Sequence, residues 1–111
     1  MELGQFSVSL AVKDIAKSKA FYEVLGFEAH KECGGIEDKW LIMQKGTTVI
    51  GLFEGMFDSN ILTFNPTDVR AIEAQIKQNG FPIINETNGD SGPTHFVLED
   101  PDGNRIMFDQ F

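Results

Sequence analysis

The sequence has a single cysteine, few basic residues and no long apolar run. Cys33 stands alone among 111 residues, so no disulfide forms within the chain, and this favours a reducing, cytoplasmic environment. Lys and Arg number 9 against 17 Asp and Glu, a net charge of −8, whereas nucleic-acid-binding proteins present basic patches. No apolar segment approaches the roughly 20 residues of a membrane span, and no secretory signal opens the chain. The sequence therefore predicts neither a nucleic-acid partner nor a membrane partner.

What the chain does contain is enough apolar content for one compact domain. Hydrophobic residues make up 41% of the sequence, and no linker or low-complexity tract interrupts it. The acidic charge has two interpretations, a preference for a cationic ligand or simple solubility.

Two segments of the chain repeat one pattern, "DIAKSKAFYEVLGF" at residues 14–27 and "DVRAIEAQIKQNGF" at residues 68–81. Each opens on an aspartate suited to capping a helix. Each closes on Gly-Phe, with the glycine placed for the left-handed residue that ends a helix. Apolar residues recur on one side of each segment. The pattern predicts two amphipathic helices and a duplicated unit.

Strand-like segments surround each helix in the same order. "FSVSLAV" at residues 6–12 alternates strictly, and turn residues such as those in "EDPDGN" separate the other strands. The order is β-α-β-β-β, stated twice, in one domain over residues 1–111 with module 1 at approximately 5–55 and module 2 at approximately 59–111. The stretch at residues 85–93, "NETNGDSGP", is predicted to be a mobile loop. The eight predicted strands are "FSVSLAV", "FEAHKEC", "KWLIMQ", "TTVIGLFE", "ILTFN", "FPIINE", "THFVLE" and "NRIMFDQF".

Two motifs carry a family resemblance. "VSLAVKDIAKSKAFYEVLGFE" and "HFVLEDPDGNRIMFDQF" resemble the glyoxalase, bleomycin-resistance and extradiol-dioxygenase superfamily, also called the vicinal oxygen chelate family, from Phe6 to Phe108. The resemblance implies an α+β fold of two tandem βαβββ modules, whose eight strands form a curved half-barrel sheet with helices on the convex face. It also implies a small-molecule site in the concave face and a homodimer. A fold of this kind does not fix the reaction.

The strand alternation then assigns the two faces of the sheet. Apolar even-numbered positions such as Val8, Leu10 and Val12 are predicted to face the helices, and the odd-numbered positions to line the ligand cavity. Trp40 joins the predicted cavity as a flat stacking surface, although core filling is an equal alternative because its neighbours are all apolar. The predicted cavity residues are Ser7, Ser9, Trp40, Phe53, Thr63, His95, Arg105 and Met107.

The resemblance also locates the metal site that many family members use. The positions of this sequence that correspond to the family's metal ligands hold Ser7, Gly51, Ile61 and Met107. These residues do not supply the N and O donors that a divalent metal needs. We therefore predict no metal and no cofactor. A divalent metal would have to use non-standard positions.

Two histidines remain, with different predicted roles. His30 lies in "EAHKEC" and is predicted to be solvated, whereas His95 in "PTHFVL" shares the cavity face with Glu99 and Asp109. An imidazole there can donate to a ligand oxygen or act as a general base, and the alternative for His95 is a structural role.

Three functions remain compatible with the sequence. The first, favoured because the metal ligands are missing, is a small-molecule-binding protein similar to the bleomycin-resistance members. The second is an enzyme similar to lactoylglutathione lyase, with a non-standard metal site or an acid-base pair built on His95. The third is a domain that keeps the fold for a structural or regulatory partner.

Overall fold

The computed structural model describes every residue from Met1 to Phe111, and they form seven strands and two α-helices. The chain divides into two compact units. We call Ser7–Asn60 the N-terminal unit, and Met1–Phe6 with Ile61–Phe111 the C-terminal unit. Neither helix has the length and apolar content that a membrane crossing requires. The elements are β1 (Gln5–Val12), α1 (Ile15–Val24), β2 (Glu28–Gly35), a 3-10 turn (Ile36–Asp38), β3 (Trp40–Lys45), β4 (Thr48–Glu54), β5 (Ile61–Asn65), α2 (Val69–Gln78), β6 (Thr94–Glu99) and β7 (Arg105–Gln110).

In the N-terminal unit the strands lie in the order β2-β3-β4-β1. β1 runs parallel to β4, whereas β3 is antiparallel to both of its neighbours. Helix α1 begins where predicted, because the Asp14 carboxylate accepts a hydrogen bond from the Lys17 amide at 3.2 Å. It ends before Gly26, whose φ of 100° is one that glycine adopts without strain.

The core of this unit lies between α1 and one face of its strands. Leu52 and Ile50 of β4 pack there with Ile15 of α1, and Leu10 and Val12 of β1 pack against the same cluster. The predicted helix-facing side is therefore confirmed for these four strand residues. On β3 the core residues are Leu41 and Met43.

In the C-terminal unit the strands lie in the order β5-β7-β6, with β5 parallel and β6 antiparallel to β7. The Asp68 carboxylate caps α2 by accepting from the Ala71 amide at 3.2 Å. Three phenylalanines stack in the core, with Phe108 4.9 Å from Phe96 and 5.3 Å from Phe64 between ring centroids. Residues of α2 complete this cluster, and Leu98 and Ile106 belong to it as well. These even-numbered strand residues therefore face the helix as predicted, whereas Leu62 is exposed.

One of the eight predicted strands is absent. The segment "FPIINE" at residues 81–86 forms no strand and contributes only an isolated bridge between Asn85 and Val97. Pro82 has no N–H to donate to a ladder, and Phe81 and Ile84 are exposed rather than packed on a sheet face. The eight-stranded prediction is therefore wrong by this one strand, while the α+β class stands.

The predicted mobile loop is anchored to α2. Glu73, buried on α2, accepts from the Thr87 amide at 2.9 Å and from its hydroxyl at 2.6 Å. The guanidinium of Arg70 donates to four loop carbonyls, those of Asn88, Gly89, Ser91 and Gly92. A planar group with five N–H donors suits such a multiple contact. The polar composition predicted a loop, but its anchor comes from residues far along the chain.

Candidate functional site

Three aromatic side chains form a cluster on the N-terminal unit. Trp40 of β3 and Phe53 of β4 are direct cross-strand partners. Their rings are nearly parallel, with an angle of 9° between the ring planes and 6.3 Å between the ring centroids. Phe57 adds a third ring 5.2 Å from that of Phe53. We call Trp40, Phe53 and Phe57 the aromatic face. All three side chains are half-buried, so each keeps some surface exposed to solvent.

The aromatic face lies on the side of the strands opposite α1. Leu41 and Leu52 are the chain neighbours of Trp40 and Phe53, and both belong to the core against α1. Successive side chains on a strand point to opposite faces, so the two rings point away from the helix. The structure places Trp40 on the sheet face opposite α1, outside the core cluster; that it contacts a ligand stays a prediction.

Gly51 explains how the Phe53 ring lies so close to the sheet. A Cβ atom at Gly51 would stand 2.5 Å from Cε2 of Phe53 and 3.2 Å from Cδ1 of Ile42. The Phe53 ring therefore lies over the position where any other residue would place its side chain. A glycine inside an apolar strand often marks such a close approach, and the glycine in "TTVIGLFE" is the sequence signal of this one.

Ser7 and Ser9, which were predicted to line the cavity, are both buried. Ser9 stands in register with Gly51, so it lies on the same sheet face as the aromatic cluster. The Ser9 hydroxyl is thus a small polar group on that face.

The C-terminal unit carries a polar face on the side of its strands opposite α2. His95 of β6 is the cross-strand partner of Asp109 on β7, and Met107 pairs with Val97 and with Thr63 of β5. Phe96 and Phe108, the chain neighbours of His95 and Asp109, belong to the core. Arg105 is also the cross-strand partner of Glu99, and their charged groups lie 3.6 Å apart with both side chains well exposed.

Asp109 is the electrostatically unusual group of this face. Its partial burial raises the pKa of the carboxyl above the ordinary value of 3.8, and the charge of His95 lowers it by a smaller amount. The Asn65 side chain donates to the backbone carbonyl of Asp109 at 2.9 Å and fixes this part of β7. A carboxyl with a raised pKa beside an imidazole is an arrangement that can transfer protons.

The positions that correspond to the family's metal ligands do not hold the donor set that the metal requires. They hold Ser7, Gly51, Ile61 and Met107, and the space over Gly51 is taken by the Phe53 ring. Nowhere in the structure do three or more His, Cys, Asp or Glu side chains form a group that could hold a metal ion. These residues do not fit the metal. That the protein binds none stays a prediction.

The structure brings the predicted site residues together in two sets. Trp40 and Phe53 contact each other within the N-terminal unit. His95 with Asp109 and Thr63 with Met107 are neighbours within the C-terminal unit. His30 is elsewhere, on β2, where it is exposed and hydrogen-bonded to the Gln44 side chain.

Comparison with known proteins identifies the family. The sequence model of the Glyoxalase/Bleomycin resistance protein/Dioxygenase superfamily matches residues 4–108. The chain belongs to this superfamily. The resemblance predicted from the two motifs is thereby confirmed, and the α+β fold of the family with it. Comparison with curated protein sequences gives no match.

Solved structures agree with this assignment. A superfamily member from Vibrio splendidus 12B01 aligns over 96% of this chain and 98% of its own, with 16% identity and a TM-score of 0.71. A Legionella pneumophila protein described as an NAD-dependent benzaldehyde dehydrogenase aligns over 96% and 98%, with 22% identity and a TM-score of 0.76. Methylmalonyl-CoA epimerase from Streptomyces coelicolor aligns over 97% and 94%, with 19% identity and a TM-score of 0.73. At these identities the likeness establishes the fold.

Replacing Gly51 tests the close contact under the Phe53 ring. We expect Gly51→Ala to destabilise the protein by about 1–3 kcal/mol, because the added methyl group displaces the ring. Urea denaturation followed by the emission of Trp40, the only tryptophan, measures both the stability and the disturbed stacking. Gly35→Ala is the matched control, since a Cβ there meets nothing nearer than a carboxylate oxygen of Asp38 at 3.6 Å. Equal stabilities and emission spectra for the two variants would contradict the packing described.

Replacing Asp109 tests its raised pKa. The folded state holds the Asp109 proton more tightly than the unfolded state does, so this group stabilises the fold most below pH 3.8 and loses that contribution as pH rises through the folded pKa. Asp109→Asn removes the titration, so its stability relative to wild type should increase as pH rises from 3.8 toward neutrality. Urea denaturation across this range measures the difference, with the exposed Asp58→Asn as control. A difference that stays constant with pH would refute the assignment.

Proposed function

We propose that this chain is a small-molecule-binding member of its superfamily, which holds a planar organic compound on its aromatic face without the family's standard metal. The observation that carries the proposal is the parallel pair of Trp40 and Phe53, with Phe53 lying over Gly51 at a position that corresponds to a metal ligand. An apolar stacking surface stands where a charged centre would be in a metal-using relative.

The ring geometry supports stacking as the mode of binding. Centroids 6.3 Å apart with planes only 9° from parallel describe offset rings, so part of each π-face stays uncovered by the other. Phe57 approaches Phe53 at 46° and forms a wall beside this surface. A flat aromatic molecule that covers both rings gains apolar burial and stacking together.

The charge of the chain favours some planar compounds over others. A net charge of −8 attracts cations and repels anions over distances comparable with the Debye length. Glu54, the chain neighbour of Phe53, points to the α1 side, where its carboxylate accepts from the Ile15 amide at 3.0 Å and lies 3.1 Å from the Lys39 ammonium. We infer a preference in the order cationic, neutral, anionic. The proposal includes a cytoplasmic homodimer, as the family resemblance and the single cysteine led us to expect.

Calorimetric titration with three flat probes tests the proposal. Proflavine, 1-naphthol and 1-naphthoate carry positive, zero and negative charge, and we expect saturable binding in that order of affinity. Trp40→Leu and Phe53→Leu should each weaken proflavine binding by about tenfold, because each removes one stacking ring. Phe81→Leu is the control, since Phe81 is an exposed phenylalanine in the other unit. Unchanged affinity in both ring variants would sink the proposal.

The second candidate is an enzyme similar to lactoylglutathione lyase. The cross-strand pair of His95 and Asp109 favours it, because Asp109 has a raised pKa and proton transfer next to a carbonyl is the step that such an isomerisation requires. Turnover would then depend on His95 and Asp109, and substrate binding would survive Trp40→Leu. The same ring variants therefore separate the two candidates.

A further inference from the structure

A second concave surface lies on the other side of the N-terminal unit. It is a cavity of about 380 Å³ between β1 and the first turns of α1, and we call it the α1 cavity. Leu10 and Val12 line it, and these residues belong to the helix-facing side of β1. Ala11, the cross-strand partner of Phe53, lines it as well, but Trp40, Phe53 and Phe57 do not, so the lining of the α1 cavity differs from the aromatic face. Its volume lies within the range of small-molecule sites.

The polar lining of the α1 cavity is rich in hydrogen-bond donors. Four polar side chains line it, those of Lys17, Ser18, Tyr22 and Asn60. Lys17 is the only charged residue among the lining residues, and no carboxylate lines the cavity although the chain has 17 Asp and Glu. The lining is therefore locally positive and suited to an anion, although the net charge of −8 repels anions at longer range.

These donors are not used within the protein. The ion pairs of the structure are those of Lys19, Lys39, Lys77 and Arg105, so the Lys17 ammonium has no carboxylate partner. Asn60 accepts from the Ala11 amide through Oδ1 at 3.0 Å. This bond fixes the amide plane and leaves the two Nδ2 hydrogens for another acceptor.

Part of the apolar lining is exposed to solvent. Phe21 forms one wall of the cavity and remains 60% exposed, with its ring edge-on to that of Tyr22 at 5.2 Å. Val24 and Leu25 continue the exposed apolar surface along α1. An aromatic side chain this exposed gains burial when an apolar molecule packs against it.

We propose that the α1 cavity is a binding site for a small organic carboxylate. The carboxylate is received by the Lys17 ammonium and the Asn60 amide, and the apolar body packs between Phe21 and the β1 residues Leu10 and Val12. The site is independent of the aromatic face and has the opposite charge preference. The two sites would let one N-terminal unit hold two chemically different compounds.

The lining favours a carboxylate over a phosphate. A phosphate group is usually held by several main-chain amides or by arginine forks, whereas this cavity offers one lysine, one amide and two hydroxyls beside an apolar wall. A singly charged group attached to an apolar body matches both halves of that lining.

NMR titration of the ¹⁵N-labelled full chain with sodium benzoate tests the site. Benzamide has the same shape without the charge, and inorganic phosphate has charge without the apolar body. We expect saturable shifts of the Lys17, Ser18, Phe21 and Asn60 amides with benzoate in the millimolar range. Benzamide should bind more weakly, and phosphate should leave the Phe21 amide unshifted.

Variants identify the group that receives the charge. Lys17→Gln should weaken benzoate binding by about fivefold, the effect of removing one exposed charge partner. Lys13→Gln changes the net charge equally, and Lys13 is exposed and outside the cavity, so its affinity should equal that of wild type. Well-dispersed spectra of both variants confirm that they fold.

Three results would overturn the proposal: no saturable shift, equal affinities for benzoate and benzamide, or equal effects of the two lysine variants. Shifts confined to the Trp40 indole would assign benzoate to the aromatic face instead. Trp40 and Phe53 do not line the α1 cavity, and Lys17 is not part of the aromatic face. The ring variants and the lysine variant therefore report on different sites, and failure of either proposal leaves the other testable.

Discussion

Each unit depends on the burial of one face of its strands against a single ten-residue helix. In the N-terminal unit Leu52 and Met43 pack with Ile15 of α1, and in the C-terminal unit Phe96 and Phe108 pack with α2. Since successive side chains on a strand point to opposite faces, burying one set of alternate residues against the helix turns the residues between them toward the opposite face. Residues on the opposite face lie outside the two helix-facing clusters, and some of them, such as Trp40 and Phe53, keep surface exposed to solvent. Both candidate surfaces in the strands, aromatic in one unit and polar in the other, follow from that single constraint.

The aromatic face shows how two neighbouring residues determine what one strand presents on the side away from its helix. A ligand residue at position 51 would need room above the strand, and the Phe53 ring occupies that room. Glycine at this position and phenylalanine two residues later are therefore linked: the ring can lie flat only because Gly51 has no side chain. The pairing with Trp40 then extends the ring into a larger stacking surface. Fold similarity to enzymes at 22% identity or less gives no information on this local arrangement.

Local sequence signals predicted the parts of the fold that depend on local physics. Asp14 and Asp68 mark the helix starts because capping involves only the next turn, and the alternation in β1 and β4 gave the correct helix-facing side. Trp40 could not be assigned, because Leu41, Ile42 and Met43 are all apolar and only packing separates their faces. The strand predicted at residues 81–86 failed because Pro82 weakens it and a single bridge to Val97 replaces a ladder. The anchoring of the loop by Arg70 and the partial burial of Asp109 depend on residues distant in sequence, which no local pattern reveals.

The central proposal for this protein is an aromatic surface in place of the family's metal centre. Its most direct test is the metal content of the purified, tag-free protein by elemental mass spectrometry, with a thermal-shift titration of nickel, zinc, manganese and iron(II). We predict no stoichiometric metal and no saturable rise in melting temperature, because neither the positions that correspond to the family's metal ligands nor any cluster in the structure provides a donor set. One equivalent of bound metal per chain, or a saturable stabilisation by one of these ions, would contradict the account and favour the enzyme.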